Sequence, residues 1–250
     1  MTHGTAILAR VRQTAPGNVR ARARYHQPDM LWVGQFGVEE GEAKEHTPWV
    51  GAFPDPGKTE DPSDIYVVVE PALPGSEEFC EDLKNAIGDN FHKKKVSLTG
   101  GLLRALDMAH ENLREWNRKS IKDHRVAAGI SCLAVHQHEA YLAQVSPANA
   151  VLYRAGSVFP VAPRIPDANE PLGLFDEFRP DFWRFDLEED DRVLLLSPGL
   201  AEKLTEGELS EALAQPAEDA LPDLYRKARG VENCAALLLA VVADETGAAA

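Results

Sequence analysis

The sequence is short of positive charge, of cysteine and of long apolar runs, and each shortage narrows what the chain can be. Lysine and arginine number 26 against 40 aspartates and glutamates, a formal net charge of -14. A phosphate backbone or an anionic bilayer would be repelled over most of such a surface, so neither nucleic acid nor a membrane is expected as a partner. Protein partners are expected instead. The three cysteines, Cys80, Cys132 and Cys234, are odd in number and widely spaced in apolar or amphipathic settings. That pattern argues against a disulfide framework and predicts reduced core thiols. No apolar run reaches membrane-spanning length, and MTHGTAILARVRQ lacks the apolar segment of a secretory signal, which predicts a cytoplasmic protein. There is no internal repeat and no glycine-rich phosphate loop.

What is present suits one domain over residues 1–250, long enough to bury a core without disulfides or structural metals. The central stretch is Asp191 to Leu204, DRVLLLSPGLAEKL. Its run Val193 to Leu196 reads as a strand buried on both faces, broken by Pro198-Gly199 before a helix. Ligands usually meet α/β units at such a turn, yet Pro198 offers no acid, base or nucleophile there. Upstream, Thr5–Gln13 and Leu31–Val38 read as paired strands. Between them Arg20, Arg22 and Arg24 share one face if the segment is extended; a solvated edge strand and an anion-binding stripe both fit.

Residues 39–64, acidic and rich in proline and glycine, read as one long loop, a lid or docking segment bearing Trp49 and Phe53. Ile65 to Val69 is a short strand ending in Glu70-Pro71. Two helices follow. Ser76 caps the first, with Phe79, Leu83 and Ile87 inward; the second spans Thr99 to Lys119, with Leu102, Leu106, Ala109, Leu113 and Trp116 as its core stripe. Lys93-Lys94-Lys95 between them reads as a solvated connection. Residues 125–161 form a meander of strands, in which His136 and His138 read as a surface pair, a metal site being the alternative. Residues 160–180 read as a second irregular loop. Thr205 and Glu208 make a capping box, and Cys234 to Val242 is a buried closing strand.

Three stretches together resemble the PPM, or type 2C, family of metal-dependent Ser/Thr protein phosphatases. VSPANAVLYRAG, from Val145 to Gly156, is similar to the family's VGDSRAYLYRNG; DRVLLLSPGLAEKL is similar to DRLLLCSDGLTDVL; GVENCA, from Gly230 to Ala235, stands where the family has GxDNxT. DIYVVVEPALPG resembles the strand entering the family's DGMGG turn, and RYHQPD, from Arg24 to Asp29, resembles RxxNED. The resemblance implies an α+β fold: a four-layer α-β-β-α sandwich of two mostly antiparallel sheets flanked by helices.

It also implies two Mg²⁺ or Mn²⁺ ions held by aspartates, and here the chain departs from the pattern. Carried over, those acidic positions fall on Glu70, on Glu232 beside Asn233, and on Pro28, Pro147 and Pro198, with Asp29 retained and Arg24 at the family's phosphate-contacting arginine. Proline cannot coordinate through a side chain, and glutamate for aspartate displaces an oxygen by roughly 1 Å. The expectation is a pseudophosphatase: no catalytic residue, no cofactor, and a protein partner, phosphorylated or not, bound in phospho-signalling. Two alternatives stand. One is a weak phosphatase using Mg or Mn held by Glu70 and Glu232, with Asp29. The other is a small-anion or nucleotide module anchored by Arg24 under a Trp49-Phe53 lid.

Overall fold

Apolar runs with polar residues on every second position, or on none, become strands, and stripes stepping by three and four become helices. A computed structural model of the chain describes residues 20–25, 30–44, 46–57, 62–93, 97–161 and 170–242. The strands are β1 (Arg20–Tyr25), β2 (Met30–Glu39), β3 (Glu42–Lys44), β4 (Val50–Phe53), β5 (Asp64–Pro71), β6 (Ala128–His136), β7 (Glu139–Val145), β8 (Asn149–Arg154), β9 (Ser157–Val161), β10 (Asp181–Asp186), β11 (Arg192–Leu196) and β12 (Cys234–Val242). The helices are α1 (Glu77–Lys93), α2 (Leu98–Lys119), α3 (Pro198–Lys203), α4 (Glu206–Leu213) and α5 (Ala217–Lys227).

Two antiparallel sheets face each other. One has the order β1-β2-β12-β11-β8-β9, with β3 on the end of β2; the other runs β10-β7-β6-β5-β4. The expected α-β-β-α sandwich is the observed one. β11 and β12 show why their apolar runs are unbroken: Val193, Leu195, Ala235, Leu237 and Leu239 pack between the sheets, whereas Leu194, Leu196, Ala236 and Leu238 pack under α3, α4 and α5. A strand covered on both faces has no polar position to spend. α1 and α2 cover the other sheet through Cys80, Leu83, Ile87, Phe91, Leu102 and Leu106. Thr205 and Glu208 form the reciprocal capping box at α4.

The structure corrects several expectations. The stretch 39–64 is not one loop, because it holds β3 and β4. Trp49 is 4 % exposed in the core and Phe53 lies against Gly88, so neither is a lid. β4 is only four residues long between Pro48 and Pro54, too short for its alternation to stand out against the surrounding acids and prolines. The 125–161 meander divides: β6 and β7 belong to one sheet and β8 and β9 to the other, the chain crossing at Ser146–Ala148 through a cis Ser146-Pro147 bond. Trp116 is 49 % exposed and sits edge-on to Phe79 at 4.9 Å, outside the core stripe. His136 ends β6, with its Nδ1 3.1 Å from the Pro62 carbonyl, and His138 lies in the following turn. Ser76 precedes α1, and its hydroxyl accepts the Ala127 N–H. Thr5–Gln13, Pro28, Asp29, Lys94 and Lys95 lie outside the described residues, as do 162–169; from 170 to 180 the only ladder contact among described residues is the Ala128–Leu172 bridge.

The crossing between sheets makes one glycine obligatory. A Cβ on Gly129 would stand 1.9 Å from the Pro147 carbonyl oxygen and 2.4 Å from the Pro147 nitrogen, both backbone atoms. Gly129→Ala is therefore expected to cost about 1–3 kcal/mol through overpacking, read as a lower urea midpoint at unchanged slope. A midpoint equal to that of the wild type would show that the crossing yields freely.

Candidate functional site

The family-like positions gather, in part, where the end of β5 meets the start of β12. Glu70, next to last in β5, pairs with Gly129 of β6, and Gly129 packs on Pro147, so Glu70 and Pro147 are neighbours across one glycine. From the opposite sheet comes Cys234, the first residue of β12, and from α1 comes Cys80; the charge of Glu70 reaches both thiols. Pro198 is the first residue of α3, where its fixed φ suits a helix start and its missing N–H costs nothing. It is held beside β12 because Ser197 N–H donates to the Ala235 carbonyl at 2.9 Å and Ser197 Oγ accepts the Ala235 N–H at 3.2 Å.

Glu232 and Asn233 lie exposed in the turn before β12. They hold the backbone of the β2–β3 turn: Asn233 Oδ1 accepts the Glu40 N–H at 3.0 Å, and the Glu232 carbonyl accepts the Gly41 N–H at 2.8 Å. The β2–β3 turn thus occupies this end of the sandwich. Sequence reasoning missed that turn, as it missed Cys80 and Cys234 as neighbours of Glu70, because no local pattern reports which strand ends converge.

The backbone of Arg24 pairs with Leu31, and Leu31 pairs with Val241, seven residues along β12 from Cys234. At roughly 3.3 Å per residue that is about 23 Å along the strand, so the backbone at Arg24 lies toward the other end of β12 from Glu232 and Asn233.

Desolvation pushes the half-buried Glu70 carboxyl up to about 8. At neutral pH it is mostly a neutral acid. Burial, reinforced by Glu70, likewise pushes the Cys80 and Cys234 thiols up to about 12, so neither supplies a thiolate. Cys132 is buried and its thiol is raised by burial alone. Among the described residues no three His, Cys, Asp or Glu side chains gather as a metal ion would need.

This architecture is that of the PPM-type serine/threonine phosphatases. A serine/threonine phosphatase of S. agalactiae superposes with a TM-score of 0.67 at 14 % identity, over 86 % of this chain and 100 % of its own. PppA, a key regulatory component of T6SS in Pseudomonas aeruginosa, gives 0.62 at 15 % identity, over 90 % of this chain and 98 % of its own. The catalytic domain of the phosphatase PstP, in complex with two manganese ions, gives 0.60 at 14 % identity, over 90 % and 98 %. No protein-family model and no curated protein matches the sequence.

Among the described residues, the positions carried over from the family do not fit two ions such as PstP holds. Manganese wants several ionised carboxylates. Here Pro147 and Pro198 present no side-chain donor, and Glu232 is exposed in the turn. No helix among the described residues is long and apolar enough to cross a membrane.

Proposed function

We propose that this chain is a pseudophosphatase, a PPM-type fold kept as a protein-binding scaffold in phospho-signalling, working as one unit in the cytoplasm. The observation that carries the reading is Glu70. Its carboxyl, half-buried and raised by desolvation alone, stands across Gly129 from Pro147, and its charge reaches two thiols that are themselves raised by burial. Among the described residues such a cleft has too few carboxylates to hold two dications against their hydration. Fold alone does not assign chemistry, so the reading rests on the site. PppA, whose description is regulatory, supports a protein partner for a chain of this shape.

The test is phosphate-ester and phosphopeptide hydrolysis by the purified protein with and without millimolar Mn²⁺, with Glu70→Ala alongside, and calorimetric titration of Mn²⁺ into the same samples. No metal-dependent turnover and no Mn²⁺ heat that Glu70→Ala removes are expected. Turnover that needs Mn²⁺ and disappears with Glu70→Ala would overturn the proposal and establish a rebuilt metal site.

A further inference from the structure

A second site lies away from Glu70. Between β2, the edge strand β4 and α1 is a cavity of about 300 Å³, at the lower end of the range for small-molecule sites. Its walls do not include Glu70, Pro147, Pro198 or Glu232. Val33, Val50 and Phe53 give it apolar sides; Lys84 and Gln35 give it polar ones.

Lys84 and Gln35 are each incompletely served. Lys84 is 7 % exposed, its stem lies over Gly51, and its Nζ donates to the Thr47 carbonyl at 3.0 Å. An ammonium has three donors, and no carboxylate is in ion-pair contact with this one among the described residues. Burial lowers the Lys84 pKa, against an opposing pull from Glu81 one turn back on α1. Gln35 Oε1 is buried with no hydrogen-bond partner among the described residues. A buried cation without a counter-charge and a buried acceptor without a donor each cost free energy that a suitable ligand would recover. The carboxylate of Asp64, also in the wall, is already engaged by the Asp55 N–H at 2.8 Å and by the Tyr66 hydroxyl at 3.4 Å. β1 adds Arg20 and Arg22 at the register positions opposite Gln35 and Val33.

We propose that this cavity binds a small organic anion bearing a hydroxyl or amino donor close to its carboxylate or phosphate, the anionic oxygens meeting Lys84 and the donor meeting Gln35 Oε1. The apolar walls cover the carbon skeleton between them. This site is independent of whether the Glu70 cleft retains chemistry.

The experiment is thermal denaturation and calorimetric titration of the full chain with two probes, glycerol 3-phosphate and glycerate, and with inorganic phosphate, acetate and glycerol as the separate halves. At millimolar concentration one or both probes are expected to raise the Tm and to bind more tightly than either half, and the responding probe distinguishes phosphate from carboxylate. Lys84→Met should fold, since it removes a buried charge and keeps the stem, and should abolish the response. Gln35→Leu should weaken binding about tenfold, the loss of one hydrogen bond. A flat Tm with both probes, a response unchanged in Lys84→Met, or inorganic phosphate binding as tightly as glycerol 3-phosphate would overturn the proposal.

Discussion

Arg154→Leu is expected to lower the unfolding free energy by about 3–5 kcal/mol, the cost of orphaning a buried charge. Asp191 is 1 % exposed and takes Arg154 in a two-pronged bond, Nε to Oδ1 at 2.8 Å and an Nη to Oδ2 at 2.5 Å, with the Glu188 N–H at 2.7 Å as its further partner. Removing the arginine strands the carboxylate. Asp191→Ala should cost less, because the Arg154 side chain is 28 % exposed and keeps Glu188 and the Asp186 carbonyl. Urea unfolding of both single variants and of the Arg154→Leu/Asp191→Leu double variant checks this. A double variant no better than Arg154→Leu would show that packing, rather than charge pairing, is what the arginine provides. The pair joins two of the stretches that resemble the phosphatase family, VLYRAG and DRVLLL, whose strands β8 and β11 lie side by side. That shared pattern records a fastening in the scaffold and no chemistry.

Glu70→Gln is expected to leave stability nearly unchanged at pH 5 and to raise it by a few kcal/mol at pH 9, at about 1.4 kcal/mol for each pH unit between the unfolded and folded values. The Glu70 pKa rises on folding, from 4.5 to about 8. Between those values the folded state holds a proton that the unfolded state has released, so the stability associated with this group is full below about 4.5 and is lost as pH rises to 8. Glutamine, neutral throughout, escapes that loss. The check is the difference between the two melting curves across pH 4.5 to 9, which cancels every other titrating group to first order. Parallel curves would mean that Glu70 is solvated and ionised, and would reopen the cleft to cations.

Several features were legible because their causes are local. β12 is bounded as the sequence placed it, since an unbroken apolar run flanked by polar turns leaves no other assignment. The capping box at Thr205 and Glu208 is a four-residue signal. β4 and its buried Trp49 were not legible, because a four-residue strand gains its stability from β5 and α1 and not from its own composition. Trp116 has the spacing of a core residue, yet the buried face at the end of this 22-residue helix passes through Leu113 and Asn117 instead.

By itself the sequence determined most of the strands and helices and the absence of donors at Pro147 and Pro198, since proline has no ligating side chain in any fold, while the four-layer sandwich was implied by the family resemblance. Only the tertiary structure decided which of the remaining residues meet. The backbone of Arg24 stands toward the far end of β12 from its start, Cys80 and Cys234 come from α1 and the opposite sheet to within reach of the Glu70 charge, and Lys84 lines a separate cavity. Those placements follow from pairing across long separations, such as the bond from Glu40 to Asn233, 193 residues apart. Strand register at that distance is set by packing of the whole core, which no window of the sequence contains.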